Sequence, residues 1–273
     1  MIAIVIPYYK IYFLEKLLIS LKNQTDQRFR VYIGNDNSPD DPSAVIAAFK
    51  DCLSITYKKF DVNLGGISLA KQWERCMDLI ADEEWFMMPG DDDSYEPNVI
   101  AKFYEYKEII DKNNIQVVKY ATVLIDENDT ITSRKYEHPV FEKSTDAFFR
   151  KFLGDSRSSL CEYVFKTAQY KKYKFKNYPL AWSSDNMAVL EFSDFGQIYT
   201  INDALANYRN SDYNISGQYD KDQHKKNVAV ALFFKDLLLH HILDFTNKQK
   251  YYVFKYTIIY SVLSILSWIK SLK

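Results

Sequence analysis

Asp91, Asp92 and Asp93 follow the apolar run Trp85-Phe86-Met87-Met88 after only Pro89 and Gly90. Adjacent carboxylates repel one another and gain nothing from packing, so at the end of a strand-like segment they call for a cation. The chemistry this serves is binding of a divalent metal together with a phosphorylated ligand. An acidic turn opening a helix is the alternative, since aspartate caps helix N-termini and Pro97 suits a first helical turn.

Carboxylates in a row do chemistry only if the chain around them brings a ligand to that place. Ile2 to Ile6 reads as a buried strand, and Leu14, Leu17, Leu18 and Leu21 recur at helical spacing. Strand-like Val31-Tyr32-Ile33, Ile55-Thr56-Tyr57 and Trp85 to Met88 alternate with helical stretches at Ala44 to Phe49, Ile67 to Ile80 and Val99 to Ile110. Such alternation predicts an α/β fold with a mostly parallel sheet flanked by helices. Pro7-Tyr8-Tyr9, Asn35-Asp36-Asn37-Ser38, Asn63-Leu64-Gly65-Gly66 and Gly90 to Asp93 then all lie beyond the carboxyl ends of strands, where open α/β sheets bind ligands.

Beyond residue 115 the alternation loosens. Val117 to Ile125 reads as a strand and Ile131 to Tyr136 as its returning partner; Leu160 to Phe165 reads as extended between helices at 144–153 and 167–174. A helix follows Ser183-Ser184, Ile198-Tyr199 and Ala204 to Tyr208 read as extended, and 221–271 reads as wholly helical.

The opening Ile4-Val5-Ile6-Pro7-Tyr8-Tyr9, the Leu21-Lys22-Asn23-Gln24-Thr25 helix end, Asn35 to Asp40, Asn63 to Gly66 and the acidic triplet resemble, in order and spacing, the family 2 glycosyltransferases of GT-A fold. The resemblance covers residues 1–100. It implies a Rossmann-like GT-A domain over 1–215, with a nucleotide-binding half at 1–110 and an acceptor half at 111–215, followed by a helical extension at 216–273. It also implies an inverting transfer of a sugar, from a nucleotide diphosphate donor, UDP-linked, to a glycan or lipid-linked glycan hydroxyl. Capsule or lipopolysaccharide assembly is the setting it suggests.

Residue by residue, the resemblance puts Pro7, Tyr9, Asp36, Gly65 and Asp91 in the nucleotide site. Asp36 would receive uracil or ribose; its alternative is an Asx-turn aspartate. Asp92, as the central ligand, and Asp93 would hold Mn2+ or Mg2+ against the diphosphate. An acceptor hydroxyl attacks poorly while it keeps its proton, so a base is required. Trp182-Ser183-Ser184-Asp185-Asn186 falls where the family places one, which makes Asp185 the candidate, with Asp194 and Asp203 behind it. Many members carry Glu-Asp where this chain has Ser184-Asp185. Arg209, in Asn207-Tyr208-Arg209-Asn210, is a candidate diphosphate clamp, or else a solvated surface arginine.

Composition narrows the remaining classes. A formal charge of −1 with 26% charged residues argues against a nucleic-acid binder. Cys52, Cys76 and Cys161 are too scattered for a zinc knuckle or a disulfide framework, and His138, His224, His240 and His241 read as structural. With no signal-peptide pattern before Ile2, a cytoplasmic catalytic part is expected. A nucleotidyltransferase would want a glycine-rich basic loop where Pro7-Tyr8-Tyr9-Lys10 stands; a non-catalytic nucleotide-sugar-binding subunit could dispense with Asp185. The charge-free run Tyr256 to Ile269 is shorter than the ~20 residues of a bilayer span. It is expected to pack on its own domain, pair with another subunit, or lie at a membrane surface.

Overall fold

In the computed structural model, which describes residues 1–211 and 222–271, the apolar run at the N-terminus is an inner strand of the sheet. Strand β1 (Ile2–Tyr8) lies between β2 (Phe29–Asn35) and β4 (Trp85–Met87), with β3 (Ile55–Lys59) outside β2, all parallel. Both faces of β1 are covered, which is why Ile2 to Ile6 carries no polar residue. Helix α1 (Leu14–Lys22) buries Leu14, Leu17, Leu18 and Leu21 on one face, with Glu15 in its first turn and Lys22 in its last, as the helix dipole favours. Helices α2 (Ser43–Ala47) and α3 (Leu69–Met77) complete this half; the Ser68 hydroxyl caps α3 by accepting the Lys71 N–H at 3.3 Å.

The second half is mixed. After the two-residue β5 (Ser94–Tyr95), α4 (Val99–Glu105) and α5 (Lys107–Lys112) replace the single helix expected over 99–110. They part at Tyr106, whose ring meets Tyr199 and whose hydroxyl donates to Asp203 at 3.1 Å. Strand β6 (Val117–Ile125) is followed by β7 (Phe141–Lys143), α6 (Ser144–Phe152), β8 (Tyr163–Lys166), α7 (Thr167–Tyr173), α8 (Ser184–Phe192) and β9 (Gln197–Arg209). Among the described residues the sheet order is β3-β2-β1-β4-β8-β6-β9-β5, with β7 also on β9. β8 runs antiparallel between β4 and β6, while β6 and β9 are parallel.

No returning strand forms over 131–136. Only single bridges join Ile125 to Ile131 and Thr122 to Tyr136, because the Ser133 hydroxyl takes the Leu124 N–H at 2.8 Å and interrupts the ladder. The two extended pieces expected near 198 and 206 are one strand, β9, with a bulge between its pairings at Ile201 and Leu205.

Helices α9 (Gln223–His240) and α10 (Asn247–Ser271) replace the continuous helix expected from 221; that starting point and the 215/216 boundary lie outside the described residues. A Thr-x-x-Gln capping box opens α10. The Gln249 side chain accepts the Thr246 N–H at 2.9 Å, and the Thr246 hydroxyl accepts the Gln249 N–H at 3.4 Å. Phe148 and Phe149 of α6, Met187 and Leu190 of α8, Phe233 and Phe234 of α9 and Val253 of α10 share one core. Each phenylalanine so removed from water contributes about 2–3 kcal/mol. The extension is thereby fixed to the body of the fold.

Candidate active site

Hydrogen bonds tie together the loops at the carboxyl ends of β1 to β4. Asp36 N–H donates to the Tyr8 carbonyl at 3.0 Å, and the Ser38 hydroxyl donates to the Tyr9 carbonyl at 2.6 Å. Pro7 is half-buried opposite Gly34, Tyr8 is buried, and the Tyr9 ring is exposed. Asp91 Oδ2 accepts both the Tyr9 N–H at 2.8 Å and the Lys10 N–H at 2.7 Å. The start of the acidic triplet is thus locked to the first loop.

Asp36 is buried. Its Oδ1 accepts the Leu64 N–H at 2.7 Å and its Oδ2 the Gly65 N–H at 2.8 Å, while Arg75 forms an ion pair with Oδ1. A carboxylate has about four acceptor sites, so this arrangement orients the group and still leaves room on Oδ2 for one further donor. A Cβ on Gly65 would stand 2.5 Å from that oxygen. Arg75 itself lies over the Phe60 ring at 4.0 Å and donates to the Val62 carbonyl at 2.9 Å. Nothing in the sequence singles out Arg75, because an arginine on a helix reads as a solvated side chain.

The triplet turns back on itself at Gly90, where a Cβ would lie 2.6 Å from Asp92 Oδ1. The Gly90 N–H donates to Asp93 Oδ2 at 2.8 Å. Asp93 Oδ1 is buried without a hydrogen-bond partner. Burial pushes the Asp93 carboxyl up to about 6, against the pull of the Gly90 and Arg209 main-chain N–H groups, the Cys161 thiol and the Arg157 charge. Burial and the charges of Asp93 and Asp91 push Asp92 well above the usual carboxylate range. Burial also raises Asp91, opposed by the two N–H groups it accepts. Crowded, desolvated carboxylates with an orphaned oxygen form a donor set suited to a hard cation. Among the described residues no three His, Cys, Asp or Glu side chains are arranged to hold a metal by themselves.

Arg209, the candidate diphosphate clamp, is fully buried. Its Nε donates to the Asp92 carbonyl at 2.8 Å, its other nitrogens engage the Asp126 carbonyl and Asp129, and its guanidinium covers the Phe13 ring at 4.5 Å. The surface-solvated alternative is excluded by the same burial. The cation whose charge reaches Asp93 from the second half is Arg157, which bonds Thr122 at 2.9 Å and lies 4.5 Å from the Tyr208 ring centroid. Arg157 lies outside every motif that carries the family resemblance, so nothing in the sequence singles it out.

Asp185 is the second residue of α8, with Lys151 Nζ 3.5 Å away. The backbone leading to it is left-handed at Leu180, Ala181 and Ser183. Three such non-glycine residues store strain of a kind that concentrates at functional sites. The Ser184 hydroxyl donates to the Lys176 carbonyl at 2.6 Å, and Ser68, capping α3, donates to Asn177 at 2.6 Å. This ties the loop before Asp185 to the end of the Gly65-Gly66 loop. Asp194 and Asp203 are engaged elsewhere, with Lys172 at 2.7 Å and Lys102 at 2.8 Å respectively.

A parallel half-sheet with its polar loops at the strand ends, joined through an acidic turn to a mixed second half, is the architecture of the GT-A class. Over residues 3–188 the sequence matches glycosyl transferase family 2, and the chain belongs to that family of glycosyltransferases. No protein of curated function matches it in sequence. Among solved structures, S. aureus TarS 1-349 is similar with a TM-score of 0.65 at 14% identity, covering 94% of this chain and 70% of that one. The same TarS segment in complex with UDP-GlcNAc is similar with a TM-score of 0.68 at 14% identity, covering 94% and 71%. At that identity the likeness is one of fold.

Proposed function

We propose that the chain transfers a sugar from a nucleotide diphosphate donor, UDP-linked, to a hydroxyl of a growing glycan, with inversion at the anomeric carbon. The observation that carries this reading is the pair of N–H groups from Tyr9 and Lys10 on Asp91 Oδ2, at 2.8 and 2.7 Å. Through it a base-side loop and an acidic turn form one continuous surface, wide enough in chemistry for a nucleoside and its diphosphate. TarS, whose fold is shared, has been solved with UDP-GlcNAc and with UDP, which supports the choice of donor.

Pro7 and Tyr9 form the wall for the base, Asp36 accepts its N–H or a ribose hydroxyl, and Gly65 gives the backbone room beside it. Asp91, held by the Tyr9 and Lys10 N–H groups, serves the ribose side. Asp92 and Asp93 would hold Mn2+ or Mg2+ beside the diphosphate. That ion, when bound, neutralises charge on the leaving nucleotide. Lys10 and Arg157 add positive charge near the triplet, and Arg209 holds the Asp92 main chain.

Asp185 removes the acceptor proton as the acceptor oxygen bonds to the anomeric carbon. The bond to the diphosphate oxygen breaks on the opposite face, its electron pair leaves with the nucleotide, and the configuration inverts. Calorimetry with UDP tests the donor side: affinity should rise with Mn2+ and lose that dependence in Asp92→Ala. Equal affinity in metal and in chelator sinks the metal assignment. In Asp185→Asn, donor affinity should persist while transfer falls by ~10²–10⁴-fold. Near-normal turnover would move the base elsewhere, and normal donor binding with no transfer by the wild type to any glycan would favour a binding subunit.

A further inference from the structure

Helix α10 carries a half-exposed apolar face. Val253 is buried, and Tyr252, Tyr256 and Tyr260 pack into the core shared with α6, α8 and α9. The opposite side presents Phe254, Ile258, Val262, Ile265, Leu266 and Trp268, each about half exposed. Asn247–Ile269 is long and apolar enough, by length and composition, to cross a membrane, and little of it is buried.

Its packing argues against a crossing. His224, in the first turn of α9, meets Ser267 near the end of α10 at 3.1 Å, and the Thr257 hydroxyl donates to the Phe234 carbonyl at 3.3 Å. The two helices are therefore antiparallel along most of α10. Inserting α10 across a bilayer would drag in Lys225, Lys235 and Asp236 of α9 or strip the pair apart. A helix held on one side by protein and apolar on the other is built to lie in the plane of an interface.

Charge selects the occupant. From Phe245 to Lys273 the sequence carries Lys248, Lys250, Lys255, Lys270 and Lys273 and no acidic residue, in a chain whose net charge is −1. A second copy seated on this face by a two-fold axis would bring lysine-bearing ends together with no carboxylate to answer them. Anionic headgroups answer them directly, and Tyr251 and Trp268 stand near the two ends of the face, as interfacial anchors do. We propose that α10 docks the protein on an anionic lipid bilayer, lying in its surface with the Phe254 to Trp268 face among the acyl chains.

The test is flotation of the full-length protein with vesicles of phosphatidylcholine, alone and with roughly 30% phosphatidylglycerol. Binding is expected to the anionic vesicles and to weaken with salt. Combined Phe254→Ser, Ile265→Ser and Trp268→Ser should lower the bound fraction at least about tenfold. Because these side chains are exposed, an unchanged melting temperature shows that the fold persists. Absence of wild-type binding to either vesicle, or binding that the triple variant retains, overturns the proposal. A dimer by light scattering that the triple variant abolishes, without vesicle binding, gives the face to a second copy instead.

Discussion

A methyl group on Gly65 would lie 2.5 Å from Asp36 Oδ2, closer than real side-chain carbons approach. Gly65→Ala must therefore push the carboxylate off the Leu64 and Gly65 N–H groups or shift the loop. UDP affinity by calorimetry should fall by about tenfold, with a stability loss of about 1–3 kcal/mol typical of overpacking. Unchanged affinity would remove Gly65 from the nucleotide site. At this scale the sequence was legible where residue types are costly without a purpose. Asp36 at a strand end and three adjacent aspartates stand out in that way. Arg75 and Arg157 did not, since their meaning comes from partners 39 and 35 residues distant, Asp36 and Thr122. Arg209 was noticed, but pattern alone could not tell an arginine that faces phosphate from one that braces the turn beneath it.

Strand β9 works as that brace. Its last residue, Arg209, reaches back to the Asp92 carbonyl, and its Asn207 and Ala206 pair with Ser94 and Tyr95 just after the triplet. Arg209→Lys keeps the charge but cannot serve separated acceptors with a planar fork. Leaving buried carbonyls unpaired should cost about 1–3 kcal/mol in urea unfolding. It should also weaken Mn2+-dependent UDP binding while uridine binding stays as in wild type; a uniform loss of both would deny the brace. Among elements, β1 to β4 were readable because buried parallel strands are nearly unbroken apolar runs. The two- and three-residue β5 and β7 offered too little pattern, and they exist only because β9 is there to pair with. The break before α10 was written in Thr246 and Gln249, and was hidden by apolar periodicity continuing on both sides.

Across the whole molecule, acid stability should turn on His138. It is buried, its Nδ1 takes a hydrogen bond from Arg150 at 2.9 Å, and its Nε2 has no partner. Burial, with Lys119, Arg150 and Arg157 nearby, lowers it to about 2. The unfolded chain therefore binds a proton below about pH 6.5 that the folded chain refuses, and stability drains away as pH falls from there. Between pH 7 and pH 5 this amounts to about 2 kcal/mol. His138→Asn, which retains an acceptor for Arg150, should lose that much less over the same interval in urea unfolding; parallel losses would clear His138. The topology adds a consequence in time. The base-side loops close once residues 2–91 exist, whereas β4 gains its second neighbour only with β8, and Asp92 its support only with Arg209. At ordinary translation rates that gap is on the order of ten seconds. During it Trp85-Phe86-Met87 is an open apolar strand edge, so a nascent chain would need shelter from a chaperone, and a fragment ending before Tyr163 should aggregate rather than bind nucleotide.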